Sequence, residues 1–406
     1  MRILIATAGS RGDVAPCTGL GAALAGAGHE VTLATTDTFA SLARGAGLGF
    51  RRLPADPRGH GGAGSGRELM RTAAAFVTEL GRGFADAVAE GTDLLVLSAT
   101  TAPLGWQLSE ATGIPSLGAY LQPNAPTGDF PPAVMAARPL GRTGNRLAGR
   151  FALRMVDRIY AQAVTELRRD LGLAPLSVGA TRRRLDTADW PVLHGFSTAL
   201  VPRPADWRPG LRIAGTFWPD VDAGARLPAA VEDFLRAGPR PVLVGFGSMA
   251  SGEGERLSEI AVRALRQAGL RGILQSGAAG LAADTTADDM LTVGDLPHAL
   301  LFPRLAAVVH HAGAGTTAAA LRAGVPSVAV PVTADQPFWA TRLAAAGAAP
   351  APIPMRALTA DRLAAALGRV TNQQAYSRAA AQGARHMSTE DRPGVVLKEI
   401  DRFTGG

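Results

Sequence analysis

Residues 308–339 read VVHHAGAGTTAAALRAGVPSVAVPVTADQPFW. An apolar run ends in His310 and His311, four small residues (Ala312, Gly313, Ala314, Gly315) form a turn, and Thr316-Thr317 open an alanine-rich stretch that stops at Gly324. A second apolar run covers 327–331, and a second helical stretch covers 337–346. Strand, turn, helix and strand at these lengths make one crossover unit of a parallel sheet. Unpaired backbone N–H groups at the helix start, approached closely through small residues, form an anion site suited to a phosphate or diphosphate. A histidine beside it can add a hydrogen bond. The plainer reading is a tight turn that needs Gly313 and Gly315 for space alone, and a short glycine motif does not choose between the two.

Working outward, the same alternation continues. Strands are expected at 241–245, 271–275, 290–293 and 306–310, with helices at 255–267 and 316–323. Near the N-terminus an apolar run at 2–8 ends in Gly9. A helix follows with Asp13 at its N-cap and Pro16 in its first turn, Gly28 closes it, and 30–34 is the next strand. Further strands are expected at 93–98 and 116–120, with a helix at 103–112 between them. Pro202, Pro204, Pro209, Pro219, Pro228, Pro239 and Pro241 punctuate the middle of the chain, the best candidate for a connection. The fold class is therefore α/β, with two Rossmann-like doubly wound parallel sheets facing across a cleft. Ligands in such sheets bind at the carboxyl ends of the strands. The expected division is 1–210 for the first domain, 211–240 for the linker, 241–384 for the second domain, and 385–406 for a C-terminal helix packing back on the first. Two loops on the carboxyl side of the first sheet stand out: the glycine-rich 56–66, expected to be mobile, and the proline-rich 122–144.

Composition bounds the class. At 406 residues, with 47% hydrophobic and 18% charged, the chain has material for two or three domains of about 150 residues. Its 49 glycines and 28 prolines follow no repeat, which excludes a collagen-like chain. The +7 balance raises a nucleic-acid reading. However, Lys398 is the one lysine among 41 basic residues, and no basic patch interleaved with aromatics accompanies it, so no nucleic-acid partner is expected. Cys17 stands alone, which excludes an intramolecular disulfide and a cysteine-based zinc site. The short N-terminal apolar run lacks the form of a signal peptide, and cytoplasmic localisation is the default expectation.

The 308–339 segment resembles the nucleotide-sugar motif of inverting glycosyltransferases with the two-domain GT-B fold. It is most similar to the branch that holds sterol glucosyltransferases and the glycosyltransferases of glycopeptide and polyketide antibiotics. That branch reads His-His-Gly-Gly-Ala-Gly-Thr-Thr and later Asp-Gln-Pro-Phe-Trp; the departure here is Ala312 in place of Gly, a small residue expected to fit. Three further places agree: Val244-Gly-Phe-Gly-Ser-Met249, Val201-Pro-Arg-Pro-Ala-Asp-Trp207 with Ala214-Gly-Thr-Phe-Trp218, and Phe302-Pro-Arg304. The N-terminal loop Gly9-Ser-Arg-Gly-Asp-Val-Ala-Pro16 resembles the branch's Gly-Ser/Thr-Arg-Gly-Asp-Val-x-Pro.

By this resemblance the first domain binds the acceptor and the second the nucleotide sugar, which is a substrate, so no cofactor is expected. His310, His311, Gly313, Ala314, Gly315, Thr316 and Ser248 attend the diphosphate, with Ser10, Arg11 and Gly12 from the facing loop. Asp335 and Gln336 hydrogen-bond the sugar hydroxyls. Asp13 is the candidate general base, taking the acceptor's hydroxyl proton within the transition state. Arg11 has two readings, a phosphate ligand or a brace for its loop. A metal-independent displacement with no metal ligands is expected from the resemblance. The expected activity is transfer of a sugar from a UDP- or dTDP-sugar to a hydroxyl of a small lipophilic natural product, whether polyketide, glycopeptide or sterol-like. The alternatives are a catalytically silent partner of a glycosyltransferase, which would have no reason to keep Asp13, His311, Asp335 and Gln336, and a nucleotide-sugar epimerase of the same fold. A dinucleotide dehydrogenase would need Gly-x-Gly-x-x-Gly after the first strand, and Gly9-Ser-Arg-Gly12 is not that.

One feature lies outside the motifs. Arg142, Arg146, Arg150, Arg154 and Arg158 recur every four residues, beside Leu147, Phe151, Met155 and Ile159. A basic amphipathic helix can lie on an anionic membrane. The reading preferred here is a surface helix whose arginines are solvated while its apolar residues face the core.

Overall fold

The computed structural model describes residues 1–54, 66–134, 139–220, 224–247, 252–277, 280–282, 288–390 and 392–404. The glycine-rich loop, apart from Gly66, and Ser248 lie outside the described residues.

The chain runs β1 (Arg2–Ala6), α1 (Arg11–Gly26), β2 (Glu30–Thr35), α2 (Ala40–Gly45), β3 (Gly49–Arg52), α3 (Gly66–Ala89), β4 (Leu94–Leu97), α4 (Ala102–Thr112), β5 (Ser116–Tyr120), α5 (Gly141–Asp170), α6 (Val178–Thr187), β6 (Val192–His194) and β7 (Leu211–Ile213). It continues α7 (Ala229–Arg236), β8 (Val242–Gly245), α8 (Gly254–Gln267), β9 (Gly272–Gln275), β10 (Met290–Val293), α9 (His298–Leu301), β11 (Ala307–His310), α10 (Ala314–Arg322), β12 (Ser327–Ala329), α11 (Gln336–Ala345), α12 (Ala360–Asn372), α13 (Gln374–Ser388) and α14 (Arg392–Thr404).

Two parallel sheets result. The first has seven strands in the order β3-β2-β1-β4-β5-β6-β7, the second five in the order β10-β9-β8-β11-β12. Strands such as Leu94–Leu97 and Val242–Gly245 are buried throughout, because helices cover both faces of a parallel sheet. Period-two alternation sorts their side chains. Ile3, Ile5, Leu94 and Val96 face α1 through Val14, Leu20 and Leu24. Leu4, Ala6, Leu95 and Leu97 face the other layer, with Leu80 and Phe84 of α3. In the second sheet Val242, Val244 and Val309 pack on α8 and α12, while Leu243 and Val308 pack on Leu301 and Phe302.

The structure changes several expectations. The stretch 211–240 carries regular structure: β7 closes the edge of the first sheet, and α7 precedes β8. A three-residue strand between prolines shows no periodicity to read. α14 returns to the first domain, where Val396 and Ile400 join the α1 face of the core and Glu399 pairs with Arg212 of β7. On α5, Leu147 and Phe151 do not face the core; they are 58% and 51% exposed. The buried side of that helix is formed instead by Asn145, Gly149, Tyr160, Ala163, Val164 and Leu167. Arg142 and Arg146 pair with Asp129 and Asp206, so the first two arginines of the stripe are ion-paired. No helix among the described residues is long and apolar enough to cross a membrane.

Candidate active site at two facing switch points

In each sheet the strand order reverses once, between β1 and β4 in the first and between β8 and β11 in the second. The crevice at a switch point is where doubly wound sheets bind ligands. The site residues expected from the sequence, Ser248 aside because it lies outside the described residues, fall on the elements around these two crevices.

At the first, the chain leaves β1 through Gly9 and enters α1. The N-cap is Ser10, with Asp13 three residues in, which corrects the expectation of Asp13 as the cap. The Ser10 N–H and Oγ–H both donate to Asp13 Oδ2 at 2.8 Å. Gly9 has φ +147°, and a Cβ there would lie 2.5 Å from Asp13 Oδ2. Glycine is thus required both for the backbone and for the carboxylate seated against it. A pocket beside it is lined by Thr7, Asp13, Ser98, Thr100 and Gln122, from loops after β1, β4 and β5. Burial pushes the Asp13 carboxyl above its ordinary value, the Ser10 hydrogen bonds oppose this, and the charge of Asp335 adds to it. Arg11 and Gly12 are exposed, and Arg11 reaches across the cleft to within 4.0 Å of Asp295.

At the second, β11 delivers the two histidines to opposite sides. His310 is 1% exposed, and its Nδ1 accepts the Ala312 N–H at 3.1 Å. Burial holds its pKa near 3, so it is neutral. It braces the turn from below, and the donor contact assigned to it is not available to a side chain so enclosed. His311 is half-buried in the cleft between two glycines. A Cβ on Gly247 would lie 3.0 Å from its Cε1, and one on Gly313 would lie 2.6 Å from its Nε2. Gly313 has φ −61°, so space for this ring, not backbone freedom, requires glycine there. The His311 Nδ1 is buried without a partner among the described residues, and burial lowers the ring's pKa, partly offset by Asp335.

α10 opens at Ala314 with Gly313 as N-cap, no capping side chain and no acidic residue in its first turn. This is two residues earlier than expected. The first-turn N–H groups of Ala314, Gly315 and Thr316 have no intrahelical acceptor, and Gly315 is exposed with open space around it. Ala312 fits, buried against Ala329 and Ala340, but at φ +61°. A left-handed alanine costs about 1–2 kcal/mol, which accounts for glycine at this place in the similar motif.

The Asp-Gln-Pro-Phe-Trp segment divides between two tasks. Asp335 Oδ2 accepts the Trp339 indole N–H at 2.8 Å and the Gln122 amide of the first domain at 3.3 Å. Gln336 turns its Oε1 back to the N–H groups of Val332 and Thr333. Phe338 and Trp339 leave the site and form the seam between domains, with ring centroids 5.5 Å from Phe130 and 5.9 Å from Phe196. The Arg342 guanidinium lies over both Phe130 and Phe338. Each such aromatic contact adds about 0.5–1.5 kcal/mol beyond area.

Three contributors escaped sequence reasoning. Gln122 follows β5 by two residues, a place where the carboxyl-end rule could have flagged it. His298 stacks on Phe302 at 4.2 Å; burial, opposed by Asp295 and aided by Arg11 and His311, lowers its pKa to about 4. Asp206 accepts from Thr127 Oγ1, the Gly128 N–H and Arg146, clamping the loop that carries Phe130. Burial alone would raise its carboxyl, but these hydrogen bonds and Arg146 bring it to about 2.

Family models match at both ends of the chain: the glycosyltransferase family 28 N-terminal domain over residues 3–88, and the erythromycin biosynthesis protein CIII-like C-terminal domain over 277–403. The O-mycaminosyltylonolide 6-deoxyallosyltransferase of Streptomyces fradiae is 37% identical, over 90% of this chain and 89% of that protein. The chain is a glycosyltransferase of this family. Sterol 3-beta-glucosyltransferase UGT80A2 of Arabidopsis thaliana is 31% identical over 98% of this chain, which spans 65% of that longer relative. The fold is shared with glycosyltransferase VinC, solved with dTDP: TM-score 0.71 at 22% identity, over 99% of both chains. This glycosyltransferase therefore has the GT-B architecture and belongs to the branch of antibiotic and sterol enzymes.

Proposed function

We propose that this glycosyltransferase moves a sugar from a UDP- or dTDP-sugar to a hydroxyl of a small lipophilic natural product, with inversion and without a metal, and that Asp13 is the general base. The reading rests on the Asp13 carboxylate, half-buried in the first crevice and close enough to Asp335 of the second to feel its charge. Both Ser10 hydrogen bonds fall on Oδ2, which leaves Oδ1 to take the acceptor's proton as its oxygen attacks the anomeric carbon. A carboxylate with a raised pKa is a stronger base than an ordinary aspartate. Charge developing on the departing diphosphate meets the open N–H groups of Ala314, Gly315 and Thr316, the α10 dipole and His311. Asp335 and Gln336 hold the sugar, and His310 supports the turn.

The O-mycaminosyltylonolide named for the Streptomyces relative, the more similar of the two relatives, supports a natural-product acceptor of that kind over a sterol. The dTDP in the VinC structure supports a nucleoside diphosphate donor. A thermal-shift panel of nucleotide sugars tests the core of the proposal, with at least one expected to raise Tm; a panel that leaves Tm flat sinks it. The product's anomeric configuration, read by NMR, tests inversion. Retention of the donor configuration would exclude the single displacement.

A further inference from the structure

We infer that Gln122 is a positioning residue for the transferred sugar, reaching from the first domain to hold the Asp335 carboxylate of the second. The inference rests on the reading of Asp335 as the sugar-binding group. Gln122 meets both halves of the site: it lines the pocket with Asp13, and its Nε2 donates to Asp335 Oδ2 at 3.3 Å. The same oxygen accepts from Trp339 Nε1 at 2.8 Å. Trp339 is fully buried against Phe338 and Phe196, so one edge of the carboxylate is set rigidly by its own domain and adjusted from the facing one. With both donors on Oδ2, Oδ1 is left for a sugar hydroxyl.

The chemistry of the spot suits a neutral donor. Asp13 and Asp335 repel: burial is the main cause of the raised Asp13 carboxyl, and the charge of Asp335 adds to it. A glutamate at 122 would add a third negative charge, and a lysine or arginine would pair with Asp335 and compete with the sugar. A carboxamide donates to the carboxylate without neutralising it. At 3.3 Å its contact is slightly longer than the usual N–H···O range, so it is the weaker of the two donors on Oδ2.

The test compares Gln122→Met, of similar length with no donor, and Gln122→Glu with the wild-type chain. Calorimetric titrations with the nucleotide sugar and with the bare nucleoside diphosphate are read beside kcat, and Tm checks the fold. Gln122→Met should weaken the nucleotide sugar about tenfold, the equivalent of one hydrogen bond, and lower kcat. The bare diphosphate should bind within about twofold of wild type, because the α10 N–H groups are untouched. Gln122→Glu should weaken the nucleotide sugar further. Unchanged affinity for both ligands in the Met variant means that Gln122 does not act on the sugar. Equal weakening of both means that it is a general structural support. Either result overturns the inference while leaving the proposed reaction standing; a wild-type chain that binds no nucleotide sugar removes both.

Discussion

The openings of α1 and α10 occupy equivalent places at the two switch points and have opposite chemistry. α1 carries its own anion, with Asp13 in its first turn, seated against Gly9 and held by Ser10. α10 starts from a bare Gly313 and small residues, with no capping side chain and no acid. One helix end thus satisfies its dipole internally, with the carboxylate that the proposed reaction uses as its base. The other leaves its dipole open for an anion from solution. In the proposed reaction the same βα crossover would serve as base holder or phosphate cradle according to who supplies the negative charge.

Four changes break or sharpen this contrast. The largest effect is expected from Asp13→Asn, which keeps an acceptor for Ser10 but removes the base. Turnover should fall about 10²–10⁴-fold while donor affinity holds. Because burial raises the Asp13 carboxyl, its charged form weakens the fold as pH rises through that elevated pKa. Asp13→Asn should therefore show an unchanged or higher Tm at neutral pH, and a lower Tm would contradict the assignment. In the wild type, activity should fall on acidification with a midpoint above the usual aspartate value of about 3.9; a midpoint at or below it would count against Asp13.

Next, Gly315→Asp gives α10 the internal anion that α1 has. Gly315 is exposed with open space around it, so the fold should gain about 0.3–1 kcal/mol. The bare diphosphate should lose about 10–100-fold in affinity, equivalent to some 1.4–2.7 kcal/mol. Undiminished diphosphate binding would show that the anion sits elsewhere. Third, Ser10→Ala removes one of the two hydrogen bonds on Asp13 Oδ2 and should cost about 1 kcal/mol of stability, measured by denaturant titration. Its kcat should fall less than that of Asp13→Asn. The smallest effect is expected from Ala312→Gly, where relief of the left-handed backbone is offset by a lost buried methyl and a looser unfolded chain. Stability should stay within about 1 kcal/mol of wild type, and a larger loss would mean that packing with Ala329 and Ala340 governs the turn.

Much of this was legible in the residue order. Buried parallel strands such as Leu94–Leu97 announce themselves as short apolar runs, and glycine-rich turns mark the carboxyl ends of β1 and β11. What escaped was local geometry with weak periodicity: β7 is only three residues long, and the N-cap of α1 is Ser10 rather than Asp13 because the acid reaches back to the cap. The first half of the α5 stripe failed for another reason, while Ile159 does pack against the core. Helical spacing defines a face but does not say which face has a neighbour, and Leu147 and Phe151 point away from the core.

The roles of the histidines and of the Asp335 segment divide along the same line. Sequence alone determined the two crossover units, the small residues at the second helix start and the presence of an acid in the first loop, because these follow from backbone sterics and short-range patterning. Only the tertiary structure separated His310 beneath the turn from His311 beside it, sent Phe338 and Trp339 to the domain seam, and brought Gln122 to Asp335 across 213 residues of chain. Adjacent residues on a strand point to opposite sides, and a contact between domains depends on how two independently patterned surfaces meet. Neither the side nor the meeting is written in the spacing of either motif.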